Sequence, residues 1–377
     1  MPSIGSYLIV GAVAAVVTFA TTPVVKRVAM RVGWVAHPNE RTVHTVPLPD
    51  VGGIALFIGF VVAFGVSRLM GVFGSLFAGT DELPGVLIAA TVMFLVGLVD
   101  DVRELSAPAK VASTVMAGLI LVAFGVTMFF FRLPFLDVVV LSSDWFPLVT
   151  VLWVLGMTQA INLIDGLDGL AAGIVAIGAF SFFLYSQHLS EQKLLVEPNI
   201  GPLIAIITVG VCIGFLPHNF NPARIFMGDC GALLLGLLMA VSTSVVGGRE
   251  RTDATAKSPG QAFFFFAPLF IPLVILGVPI LDTLWAIIRR ARSGEGLATA
   301  DKGHLHHRLM EMGHGQRRSV LILWGWTALL SAFVLYPVIT GRGVSYIPVG
   351  AAMLGLVLYT VLHPQIRGHR TAEQPDS

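Results

Sequence analysis

Apolar runs close to 20 residues long recur along almost the whole of this 377-residue chain. A helix of about 20 apolar residues crosses the roughly 30 Å hydrocarbon core of a bilayer. Within that core a helix satisfies its own backbone hydrogen bonds, which an isolated strand does not. Eleven spans are read, at about 4–22, 52–70, 84–99, 111–131, 145–162, 169–186, 201–217, 231–247, 262–288, 319–340 and 344–362. The expected fold class is therefore all-α: a polytopic membrane protein of about eleven transmembrane helices with its catalytic loops in the cytoplasm. One membrane domain covers 1–363, and 364–377 reads as a short cytoplasmic tail. Pro147 interrupts the fifth span, and Pro268, Pro272 and Pro279 predict a kink or break in the ninth.

Charge placement orients these spans. With the N-terminus outside, 16 of the 23 Lys and Arg residues fall on the cytoplasmic side, as the positive-inside bias requires. Charged residues make up 12% of the chain, about half of the roughly 25% usual in a soluble domain. A net charge of +1 without a basic, aromatic-interleaved patch gives no sign of a nucleic-acid partner. Cys212 and Cys230 supply neither a disulfide framework nor a CxxC metal pair. The first run lacks a positive n-region and a small-residue cleavage site, so it reads as a retained helix.

The polar residues that resist a bland explanation fall in five clusters, all on the cytoplasmic side of this topology. Asp100 and Asp101 close the third span, and Lys110 follows in the next. Adjacent carboxylates at a membrane boundary repel and are costly to desolvate unless a cation or a proton joins them; two solvated aspartates and a snorkelling lysine are the plain alternative. Asn162, Asp165 and Asp168 are spaced by three around Gly166 and Gly169, so a near-helical backbone would put them on one face. That stretch lacks the alternating ligands and distal Glu of a calcium loop, and a polar turn is its plain reading. Asn219, Arg224, Phe226, Gly228 and Asp229 precede an apolar helix. Asp229 alone could be a helix cap, but beside Arg224 it suits a metal–phosphate site, since Mg²⁺ prefers one or two carboxylates plus substrate phosphates. Asp301, Lys302, His304, His306, His307 and Arg308 form a basic, imidazole-rich cluster without the Cys or Glu that would complete a zinc set. Phosphate binding, proton transfer or a solvated loop all fit it. The 39–53 stretch ends in Pro47-Leu48-Pro49-Asp50 and the pair Gly52-Gly53, which opens a helix whose N-terminus can meet phosphate.

Taken in order, these clusters resemble the polyprenyl-phosphate N-acetylhexosamine-1-phosphate transferase family, over roughly residues 35–310. The interrupted run His304-Leu305-His306-His307 resembles the WecA/TagO branch, which uses UDP-N-acetylglucosamine. The phospho-N-acetylmuramoyl-pentapeptide branch has three consecutive histidines. The resemblance implies a multi-helix plasma-membrane enzyme that uses Mg²⁺, with Mn²⁺ as the substitute metal. Its implied partners are UDP-N-acetylglucosamine, polyprenyl phosphate and membrane lipid; it would release UMP and allows a homodimer. It implies catalytic roles for Asp100, Asp101, Asp165, Asp168, His304, His306 and His307. Lys110, Asn219, Arg224, Phe226, Asp301 and Arg308 would bind substrate, and Asp229 and Asn162 would hold the metal.

Two rivals from other classes are weaker. A secondary transporter places such residues near the bilayer midplane and shows repeat symmetry; here they gather at one face and no repeat is seen. A CDP-alcohol transferase needs two further spaced aspartates after Asp165, which this chain lacks.

Overall fold

The computed structural model describes residues 2–36, 47–127, 130–132, 138–140, 144–193, 195, 197–247, 314–340 and 348–360. The chain is built of helices. Helix α1 spans Ile4–Val32 and starts at Ser3, whose hydroxyl accepts the Ser6 N–H at 3.3 Å. It runs through Pro23, beyond the expected end at residue 22. A proline inside a helix leaves the carbonyl four residues earlier without its N–H donor. That carbonyl is Phe19 O, and His218 Nε2 meets it at 3.1 Å. The side chain of another helix thus mends the break and lets α1 continue to Gly33.

Strands β1 (Val35–Ala36) and β2 (Leu48–Pro49) pair antiparallel and lead into α2 (Gly53–Leu69). After a 3-10 turn at Gly71–Phe73, α3 (Gly74–Ala78) leaves α2 at a bend of 88°. Helices α4 (Glu82–Arg103) and α5 (Ala107–Ala123) follow, joined by a three-residue turn. The expected span over 111–131 is too long at its far end. Gly125 adopts φ +85°, and Val126 and Gly125 donate to Leu121 O and Val122 O, a Schellman stop. Beyond it, aromatic and β-branched residues make β3 (Phe130–Arg132), antiparallel to β4 (Val138–Val140).

Helix α6 covers Phe146–Ile164; Pro147 sits in its first turn, where the missing N–H costs nothing, so it starts the helix and does not interrupt it. Then come α7 (Leu170–Glu191), α8 (Gly201–Asn219), α9 (Gly228–Gly247), α10 (Gln316–Thr340) and α11 (Pro348–Thr360). Among the described residues, seven helices are long and apolar enough to cross a bilayer, or eight counting the bent α2–α3 pair. Two shorter apolar helices, α5 and α11, join them. The expected ninth span at 262–288 and the tail 364–377 lie outside the described residues.

Helix α9 is the hub. It is almost wholly buried and packs against α2, α4, α6, α7 and α8. Helix α1 lies at the edge against α2 and α8, and its outer face leaves Leu8, Ile9, Val16 and Phe19 half exposed, as a lipid-facing helix does. Hydrogen bonds and ion pairs between helix ends gather at one end of the bundle the C-termini of α4, α6 and α8 and the N-termini of α2, α5, α7, α9 and α10.

Candidate active site

The junction of α4, α5 and α9 is built by close backbone approach. At Gly97, in the last turns of α4, a Cβ would stand 2.3 Å from Cys230 Cα. Only glycine lets the start of α9 sit this close. One turn on, the adjacent aspartates diverge because neighbouring helix positions point about 100° apart. Asp101 faces α9: its Oδ1 accepts the Asp229 N–H at 2.6 Å and its Oδ2 the Cys230 N–H at 3.1 Å. It caps that helix from outside, where free N–H groups and the helix dipole favour an anion. Gly228, at φ +70°, makes the turn before it, with Asp50 O and Asp101 Oδ2 packed where a side chain would be.

Asp100 is buried and points the other way. Its Oδ1 accepts the Leu105 N–H at 2.6 Å, which closes the α4–α5 turn, and its Oδ2 pairs with Lys110 Nζ. The same ammonium bonds Asp229 Oδ2 at 2.7 Å. The repulsion expected between Asp100 and Asp101 is thus relieved twice over, by a lysine on one and a helix N-terminus on the other. These are the two ion pairs found among the described residues, both on Lys110.

The loop before α9 is laced to its neighbours. The segment entering α2 lies against it: Phe226 donates to Pro49 O at 2.8 Å, and Gly52 and Gly53 donate to Phe226 O and Met227 O. Asn219 is buried; its Oδ1 accepts the Gly169 N–H at 3.0 Å and its Nδ2 donates to Ile225 O at 3.1 Å. Asp168 Oδ2 accepts from Asn221 Nδ2 at 2.8 Å and from Ala223 N at 3.0 Å. Asn221 also reaches Gln316 Oε1 at 2.7 Å, and Arg317 Nε donates to Asn221 O at 2.8 Å, which ties α10 to the same end.

Helix α6 ends at Ile164, so the near-helical face expected for Asn162, Asp165 and Asp168 breaks there. Asn162 stays in the last turn, Asp165 caps it, and Asp168 turns to the 221–223 loop. No hydrogen bond or ion pair reaches the Asp165 carboxyl among the described residues. Desolvation pushes its pKa well above the ordinary carboxylate range, and the charges of Asp50, Asp229, Asp101 and Asp168 push the same way. Asp50, Asp101, Asp168 and Asp229 thus act together on Asp165 at this end of the bundle. Asp50 was not among the expected site residues, although it stands two residues before Gly52 in the stretch singled out in the sequence.

The residues expected to act thus divide. Asp100, Asp101, Lys110, Asp165 and Asp229 are gathered. Asp168 and Asn219 brace loops, and the Phe226 backbone joins α2 to the α9 turn. Arg224 makes no ion pair with these acids; it is exposed and lines a separate cavity with Lys26, Arg27 and His218. Asp301, His304, His306, His307 and Arg308 lie outside the described residues. Among the described residues no three His, Cys, Asp or Glu side chains already enclose a metal-sized point. The chemistry of the donor set nonetheless fits a hard divalent cation: a cluster of oxygen donors in which, among the described residues, no hydrogen bond reaches the Asp165 carboxyl.

Known proteins are similar to this chain in sequence. The family model described as glycosyl transferase family 4 matches residues 83–247, which run from α4 to α9. A Mycobacterium tuberculosis protein named decaprenyl-phosphate N-acetylglucosaminephosphotransferase is 36% identical over 86% of this chain and 80% of its own length. Its namesake from Mycolicibacterium smegmatis is 33% identical over 97% and 91%. A phospho-N-acetylmuramoyl-pentapeptide-transferase from Desulforudis audaxviator is 34% identical over 84% and 93%.

Proposed function

From the premise that this chain belongs to glycosyl transferase family 4, we propose that it transfers N-acetylglucosamine 1-phosphate from UDP-N-acetylglucosamine to a polyprenyl phosphate and releases UMP. It is a multi-pass membrane protein, and the interrupted run His304-Leu305-His306-His307, with its matches to two N-acetylglucosaminephosphotransferases, supports this sugar over the muramoyl-pentapeptide alternative. The observation that carries the reading is Lys110 held between Asp100 and Asp229 beside the acids around Asp165.

A lipid phosphate oxygen would attack the β-phosphorus of the nucleotide sugar. The new P–O bond forms as the bond to the oxygen bridging the two phosphorus atoms breaks, and UMP carries away that electron pair. Two anions must meet, so neutralising charge is the main task of the site. Asp229, with Asn162 and Asp165 from the end of α6, would hold Mg²⁺, which when bound would supply positive charge against that of the phosphates. Lys110 fixes the Asp229 carboxylate and carries positive charge at the same place. Asp101 keeps the α9 N-terminus aimed at the site. Asp100 positions Lys110; because a phosphate monoester is largely ionised near neutral pH, no strong base is required. His304, His306, His307, Asp301 and Arg308 would complete the phosphate and sugar contacts.

The membrane placement follows from the substrates. A polyprenyl phosphate has its phosphate at headgroup depth, and a UDP-sugar is water-soluble. A site at the helix ends on the cytoplasmic face of the plasma membrane, with the N-terminus outside, meets both. The test is purified protein in lipid nanodiscs with Mg²⁺ and decaprenyl phosphate, offered UDP-N-acetylglucosamine, UDP-N-acetylgalactosamine and UDP-N-acetylmuramoyl-pentapeptide in competition. UMP release driven by the first substrate is expected. Preference for the pentapeptide would move the protein to the other branch, and UMP release without lipid acceptor would remove the transfer reaction.

A further inference from the structure

A second polar feature lies at the same end of the bundle and has no part in the acid cluster. A cavity of about 290 Å³ opens between the end of α1 and the loop after α8, lined by Lys26, Arg27, His218 and Arg224 with Thr22 and Ile225. Three basic side chains and an imidazole line one space. Among the described residues none of them forms an ion pair with an acid. Like charges gathered without a counter-ion make an anion receptor.

Its depth says which kind of anion. Helix α1 rises about 1.5 Å per residue, so some 20 residues from Ile4 cross the roughly 30 Å hydrocarbon core. The helix therefore leaves the core near Pro23, and Lys26 and Arg27, its first charged residues, stand at headgroup level. The α1 face above the cavity is lipid-facing: Phe19 and Val16 are half exposed or more, and Ile213 is exposed on α8, which packs against α1. His218 is already fixed here by its bond to Phe19 O.

We propose that this cavity binds the phosphate of an anionic membrane phospholipid, with the acyl chains lying along Phe19, Val16 and Ile213. The bound phosphate clamps α1 to the 219–225 loop, because Arg224 belongs to the loop and Lys26 and Arg27 belong to the helix. Asp168 holds the same loop through Asn221 and Ala223. An anionic lipid thus steadies the loop that runs into Asp229 without entering the acid cluster.

The test is delipidated protein in neutral detergent, titrated with phosphatidylglycerol, phosphatidylcholine or inorganic phosphate while its thermal unfolding is followed. Phosphatidylglycerol is expected to raise the unfolding temperature more strongly than the zwitterionic lipid. The charge-removing pair Lys26→Gln/Arg27→Gln should raise the half-maximal phosphatidylglycerol concentration by about thirtyfold, from about 1 kcal/mol per basic residue near an anionic surface. The charge-keeping pair Lys26→Arg/Arg27→Lys should retain the response, and both pairs should unfold at the wild-type temperature without lipid. An unchanged phosphatidylglycerol response in the Gln pair overturns the site. An equal response to inorganic phosphate alone overturns its assignment to a lipid.

Discussion

The Asp101 carboxylate, at the end of α4, accepts the backbone N–H of Asp229, the first acid of α9, at 2.6 Å. One side chain therefore sets the position of another through a helix N-terminus. Removing it in Asp101→Ala leaves two N–H groups uncapped and should lower stability by about 1–2 kcal/mol. Asp101→Asn keeps one acceptor oxygen and should recover part of that loss while turnover stays depressed. Thermal unfolding and UMP release on the same preparations check both.

Asp165 gives a pH and metal prediction. Its folded-state pKa lies above its unfolded value, so the folded protein holds a proton the unfolded chain has lost. Stability contributed by that proton is present at low pH and falls as pH rises from the ordinary carboxylate range toward the raised folded value. Asp165→Asn removes the titration, so it should unfold at a higher temperature than wild type at neutral pH. It should also show a smaller stabilisation by Mg²⁺. Melting curves from pH 4 to 8, with and without Mg²⁺, decide it; a neutral-pH melting point at or below that of wild type contradicts it.

Sidedness has a direct check because both native cysteines, Cys212 and Cys230, are buried. Ser106 is exposed in the α4–α5 turn, four residues before Lys110. In intact cells, Ser106→Cys should resist a membrane-impermeant maleimide and react once the membrane is opened. Reaction in intact cells would invert the topology.

The helices were legible because apolar runs of bilayer length dominate the sequence; α2, α8 and α9 begin and end within about three residues of their expected limits. The errors sit where a local signal needed a distant partner. The first span, expected to end at residue 22, runs on through Pro23 because His218 supplies the missing bond. The stop at Gly125 was legible in principle, but apolar residues continue past it, and hydropathy does not separate a lipid-facing helix from a short hairpin.

At the site, the sequence singled out the acids and Lys110 because such residues are costly beside lipid. It could not divide their tasks. That Asp101 caps α9 while Asp100 pairs with Lys110 depends on the crossing at Gly97. Arg224 looked like a phosphate ligand from its place in the chain, and the fold lines a different cavity with it. Asp50, named in the 39–53 stretch, was given no role because its neighbours Asp101, Asp165 and Asp229 are distant in sequence.

The most direct measurement is turnover of purified Asp229→Ala with UDP-N-acetylglucosamine and decaprenyl phosphate in Mg²⁺. Loss of one such charge-stabilising group should lower the rate by at least about 10²-fold, with the fold intact by its melting curve. Turnover within about threefold of wild type would contradict a phosphate-transfer site built on Asp229, Lys110 and Asp100.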